Sequence, residues 1–146
     1  MLGRSLGSVY PDKPTATTDA ADVLRVEGLT APGVNGVLLT VRAGEIVGLA
    51  GLIGAGRSEI AHAVYGATRR AGGSVQIAGA SAARGSISSA QRGGMFLIPE
   101  SRKEQGLLLQ RPIRENVTLS DLARMASLSW VRRKAERRHV NDMLER

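Results

Sequence analysis

Residues 51–58 read Gly51-Leu52-Ile53-Gly54-Ala55-Gly56-Arg57-Ser58, the frame GxxxxG followed by a basic residue and a hydroxyl. Glycine at 51, 54 and 56 lets a backbone curl tightly and point successive N–H groups into one hollow, a conformation that side chains block. The preceding run, Ile46-Val47-Gly48-Leu49-Ala50, predicts a short buried strand. Ser58-Glu59-Ile60-Ala61-His62-Ala63-Val64-Tyr65 predicts a helix that Gly66 stops. Strand, glycine loop and helix thus come in the order that a phosphate-binding loop requires, with the free amides and positive dipole end of the helix facing the anion. Ser58 carries the hydroxyl that helps hold magnesium in such loops.

One position departs from the usual pattern: Arg57 stands where such loops carry lysine. The lysine acts as a compact point charge, whereas a guanidinium is planar, wider and suited to forked contacts. Phosphoryl transfer depends almost wholly on positioned charge, so the exchange is expected to weaken turnover more than binding. A dinucleotide fingerprint is excluded, because GxGxxG begun at Gly54 demands glycine where the chain has Glu59. No acidic residue stands about twenty positions farther on to meet a ribose.

Residues 1–22 contain Pro11 and Pro14 with little apolar periodicity and read as linker; structure is expected from Val23. Strands are predicted at residues 23–27, 37–42, 46–50, 74–78 and 95–98. A short helix is predicted from Ser86 to Arg92, with serine as its cap and Gly93-Gly94 as its stop. A polar loop follows Pro99, Pro112 opens a helix containing Arg114, Glu115, Asn116 and Val117, and a last helix runs over residues 131–146.

With 42% hydrophobic and 23% charged residues the balance is that of a globular domain, but aromatics at 3% leave the packing to small aliphatic side chains. No cysteine is present, which removes disulfides and thiolate metal sites. His62 and His139 have no second ligand pattern beside them and read as helix-face histidines. A net charge of +7 raises nucleic acid or an anionic membrane surface as a partner. The cluster Arg132, Arg133, Lys134, Arg137 and Arg138 lacks interleaved aromatics for base stacking and reads instead as a solvated helix face, with Val140, Met143 and Leu144 as its narrow apolar contact.

Taken in order, these strings resemble an ATP-binding cassette, and specifically the second cassette of the double-cassette ATPases of ribose- and galactose-type sugar importers. Pro32-Gly33-Val34-Asn35-Gly36-Val37 is similar to the segment before their second strand, and residues 44–59 resemble their altered phosphate loop, arginine included. Ile98-Pro99-Glu100-Ser101-Arg102-Lys103-Glu104-Gln105-Gly106-Leu107 resembles their Q-loop, with glutamate for glutamine; Ser101 departs from the acidic residue more usual there. Arg114-Glu115-Asn116-Val117-Thr118-Leu119 matches the lead into the helical subdomain, and Met1-Leu2-Gly3-Arg4 with Tyr10-Pro11 looks like the segment joining the two cassettes.

The resemblance implies a partial α/β P-loop NTPase fold over residues 23–146. Its parts are an antiparallel β subdomain, the first part of a RecA-like core, and the start of a helical subdomain. It implies ATP and Mg2+ as cofactors, with Gly51, Leu52, Ile53, Gly54, Ala55, Gly56, Arg57, Ser58 and Glu59 around the phosphates, Arg57 nearest the β and γ groups, and Ser58 and Glu100 toward the metal. No string resembles the LSGGQ signature or a strand ending in Asp-Glu, and His139 falls too early for the switch histidine. No catalytic residue is therefore assigned, and the stretch alone is expected not to turn over ATP. The aromatic that stacks on adenine in the family has no counterpart at Ala31, Pro32 or Gly33, so base contact is expected to be weak. Implied partners are membrane permease subunits, a first ATP-binding cassette in the same chain or a paired subunit, and indirectly a periplasmic or extracellular sugar-binding protein, at the cytoplasmic face of the membrane. A catalytically silent regulatory cassette is the alternative, and a nucleic-acid binder a weaker one. Residues 74–98 are expected to expose apolar strand edges, making the chain marginally stable.

Overall fold

The computed structural model describes residues 20–127 and 130–145, so most of the 1–22 linker lies outside the described residues. The chain divides into two compact units, residues 1–97 and 98–146.

The first unit is an antiparallel sheet with helices. Strand β1 (Asp22–Ala31) and strand β2 (Val34–Arg42) form a hairpin closed at Pro32-Gly33, where Gly33 takes φ 75°. Strand β3 (Gly72–Ile77) pairs with the other edge of β1, and β4 (Ala80–Ser81) follows, giving the order β2-β1-β3-β4. A bulge around Gly28, at φ 59°, shifts the register between Val26 and Leu29. Without it two residues three apart would face opposite sides of a strand; with it both Val26 and Leu29 are buried. Gly73 backs onto the bulge so closely that a Cβ there would lie 2.5 Å from the Gly28 carbonyl.

Helix α1 (Arg57–Tyr65) buries Ala63 and Val64 in a core with Val26, Leu29, Val34, Val75 and Ile77. Each fully covered Val or Leu contributes on the order of 2 kcal/mol. Gly66 ends the helix in the left-handed region, and helix α2 (Ile87–Arg92) starts at Ser86, whose hydroxyl accepts from the Ser89 amide at 3.2 Å.

Three sequence expectations are corrected here. Residues 46–50 and 95–98 are not strands: Ile46 is 96% and Ile98 87% exposed, and no described strand lies alongside either run to accept its hydrogen bonds. An apolar run becomes a buried parallel strand only when neighbours flank it. Of residues 74–98, expected to expose apolar strand edges, 74–77 are instead interior, since β3 has β1 on one side and β4 on the other, with Val75 and Ile77 buried, whereas Phe96 and Ile98 are exposed.

In the second unit, the stretch predicted as a polar loop contains one wide helical turn, Arg102–Gly106, with Ser101 accepting from the Glu104 amide. Helix α3 (Ile113–Thr118) follows Pro112, as expected. Asn116 accepts from the Leu108 amide at 2.7 Å and turns its amide nitrogen to the carbonyls of Leu108, Arg111 and Pro112, pinning the segment before the helix. After α4 (Leu122–Met125), the short strands β5 (Ala126–Ser127) and β6 (Trp130–Val131) pair antiparallel, and α5 (Arg133–Leu144) closes the unit. The expected apolar face of α5 needs correction: Val140 is buried, but Met143 and Leu144 are exposed. The other buried contact is Glu136, 3% exposed, whose carboxylate accepts from the Thr118 hydroxyl at 3.1 Å and lies 2.9 Å from Arg114 Nε, off the line of that N–H bond. The helix turns this acid inward because two partners on α3 await it. Among the described residues no helix is long and apolar enough to cross a membrane.

Candidate functional site

The glycine loop turns twice before α1. The Ala55 amide donates to the Leu52 carbonyl at 3.1 Å, and Gly54 and Gly56 take φ 84° and 82°, conformations that glycine adopts without steric cost. Gly51 is close to the far side of the same curl, where a Cβ would meet the Ala55 Cβ at 2.9 Å and the Arg57 side chain at 3.7 Å. The stem of Arg57 thus folds back over the start of the loop.

Gly56 is the N-cap of α1, no side chain caps that end, and the first amide to bond into the helix is that of Ile60, to the Gly56 carbonyl at 2.9 Å. The amides of Arg57, Ser58 and Glu59 ahead of it are the helix's orphan donors, at the positive end of its dipole. All three residues are exposed. This arrangement can receive an oxyanion through backbone donors, with a guanidinium and a hydroxyl beside it.

The hairpin turn of the sheet braces the loop. A Cβ on Gly56 would lie 3.1 Å from the Gly33 carbonyl, and one on Gly33 would lie 3.4 Å from Glu59 Cγ. In the sequence, Pro32-Gly33 stands out as part of a string similar to the family's and as a place without the adenine-stacking aromatic. Its role as a buttress has no sequence signal beyond the two glycines themselves. Leu52 and Ile53, at 85% and 101% exposure, stand on the outside of the curl.

Of the residues singled out in the sequence, 51–59 are thus contiguous in space on one unit, while Glu100 is an exposed residue of the other. Among the described residues no cluster of three or more His, Asp or Glu side chains could hold a metal ion. The hard ligand present beside the loop is the Ser58 hydroxyl, chemically suited to magnesium when phosphate oxygens and water complete the shell. Arg132, Arg133, Lys134, Arg137 and Arg138 are all exposed.

The profile of the ABC transporter family matches residues 34–146. The chain is 40% identical over 147 residues to the ribose import ATP-binding protein RbsA of Jannaschia sp., covering all of this chain and 28% of that protein. It is 49% identical over 121 residues to ribose import ATP-binding protein RbsA 1 of Streptomyces avermitilis, covering 82% of this chain and 23% of that one. A third relative, the ribose import ATP-binding protein RbsA of Rhodococcus jostii, is 41% identical over 143 residues, with 97% and 28% covered. The chain therefore spans less than a third of the length of these curated relatives. No solved structure matches it.

Proposed function

Since the chain belongs to the ABC transporter family, we propose that residues 51–59 form the phosphate-binding part of an ATP site in the energy-coupling subunit of a sugar importer. The observation that carries this reading is the uncapped N-terminus of α1 behind a loop in which Gly54 and Gly56 hold φ above +80°. Backbone amides of 54–59 cradle the phosphates, the Arg57 guanidinium approaches the β and γ groups, and the Ser58 hydroxyl would take a place on Mg2+. Magnesium held beside the Ser58 hydroxyl would supply positive charge to offset that of the phosphates. Residues 23–146 act as the first part of a nucleotide-binding domain, and residues 1–22 as a linker. The relatives' names support ribose or a similar sugar as the cargo. Its partners are then a membrane permease, a first cassette and, indirectly, a sugar-binding protein, with the subunit held at the cytoplasmic face.

Arg57 in place of lysine favours a second reading, in which the cassette binds nucleotide and regulates a catalytic neighbour rather than hydrolysing. Equilibrium binding of a fluorescent ATP analogue to this chain tests the common core of both. Arg57→Ala is expected to weaken binding roughly tenfold, the loss of one charge-assisted contact. Unchanged affinity would sink the proposal.

A further inference from the structure

Among the described residues, Arg70 has the most buried side-chain nitrogens without a hydrogen-bond partner. It lies on the segment that joins α1 to β3, is 4% exposed and donates from Nη2 to the Ala82 carbonyl at 2.7 Å. Its Nε and Nη1 are buried with no hydrogen-bond partner. Burial of a guanidinium with two donors unmet is costly, because each donor forfeits its water without a replacement and the charge lacks a counter-ion. Among the described residues no carboxylate pairs with Arg70, nor with its neighbours Arg69 and Arg84.

Those neighbours add charge of the same sign. Arg84 reaches back to the Ala71 carbonyl only at 3.5 Å, and Arg69 packs on Gly85, where a Cβ would meet its side chain at 3.2 Å. Burial and the proximity of Arg84 both depress the Arg70 pKa. The loop beneath is well built. The Ala82 amide donates to the Val75 carbonyl at 2.9 Å, the Ala83 amide to the Ser89 hydroxyl at 3.0 Å, and the Ser86 hydroxyl caps α2. Residues 83–85, which follow the Ala82 carbonyl that Arg70 contacts, are exposed.

We propose that Arg70, with Arg84, forms a second anion site, separate from the glycine loop, which takes one small oxyanion of the phosphate or carboxylate type. A planar guanidinium fork matches two oxygens of such a group, and a neighbouring cation adds attraction that water cannot supply. The site is independent of the nucleotide reading.

The test is a titration of the whole 15N-labelled chain, followed by backbone amides and the Arg70 Nε–H resonance. Inorganic phosphate and acetate are the probes, with sodium chloride at matched ionic strength as control. The expected result is a saturable shift of Arg70 Nε–H and of the amides of residues 82–86 with phosphate or acetate. Saturation with phosphate alone assigns a phosphate site, and with both a general oxyanion site. Arg70→Met should abolish the response, Arg70→Lys should weaken it roughly tenfold by removing the fork, and Arg57→Ala should leave it unchanged. The lysine variant also keeps the test decisive if the methionine variant does not fold. A shift that is linear and equal in chloride overturns the proposal, as does a saturable response that survives Arg70→Met. Shifts confined to residues 51–59 also overturn it while leaving the glycine-loop reading standing.

Discussion

Adding one methyl group at Gly51 tests whether the curl of the loop is what binds phosphate. A Cβ at Gly51 would sit 2.9 Å from the Ala55 Cβ, whereas carbon atoms in ordinary contact stand roughly 3.5–4.0 Å apart. The loop must therefore open by about 0.6–1 Å in Gly51→Ala. Amide-to-oxygen bonds operate over about 2.7–3.2 Å, so a displacement of that size breaks or badly weakens at least one of them. A hydrogen bond to a charged group is worth about 1.5–3 kcal/mol, which sets the expected loss of ATP affinity at roughly 10- to 150-fold. The fold itself should lose little, because Ala55 is exposed and the loop lies outside the core. The Ala55→Gly change removes the opposing methyl, so the double variant should recover most of the affinity, giving a coupling that neither single change explains. The assay is fluorescent-nucleotide binding at low salt for the four members of the cycle, with circular dichroism to check the fold. Undiminished binding by Gly51→Ala, or no recovery in the double variant, would refute the idea that the curl positions the donors.

Two further changes probe the scaffold. Gly73→Ala places a Cβ 2.5 Å from the Gly28 backbone, while Gly79→Ala, at a nearly equal φ of 79°, meets nothing within 4 Å. Urea unfolding followed by far-UV circular dichroism should show a loss of about 1–2 kcal/mol for Gly79→Ala, the left-handed penalty alone, and about 3 kcal/mol or more for Gly73→Ala, with ladder bonds broken as well. Equal losses would mean that the bulge yields freely. Glu136→Ala leaves Arg114 without its buried acid; because Arg114 is 29% exposed, the cost should fall to about 2 kcal/mol from the larger values of fully buried pairs. Urea unfolding followed by far-UV circular dichroism measures that loss, and an unchanged midpoint would mean that Glu136 contributes nothing.

The elements that announced themselves in the sequence are those whose cause is local. Helix α1 begins at the glycine loop and stops at Gly66, Ser86 caps α2, and Pro112 precedes α3, because caps, stops and fixed φ values act within a turn of chain. The β hairpin was legible for the same reason. The runs at 46–50 and 95–98 were not, since hydrophobicity records what a segment is able to bury and says nothing of whether a neighbour is present to bury it.

By itself the sequence determined the phosphate-loop frame, its arginine, the order of strand and helix signals and the family to which they belong. Tertiary structure alone decided that Gly33 braces Gly56, that Gly28 and Gly73 lock two strands, that Glu136 turns inward to Arg114 and Thr118, and that Arg70 is buried with two donors unmet. Each of these joins residues from different elements. A spacing rule reaches only as far as one helix or strand, whereas the free energy of such contacts depends on distance and solvent exclusion in space, which exist only once the chain has folded.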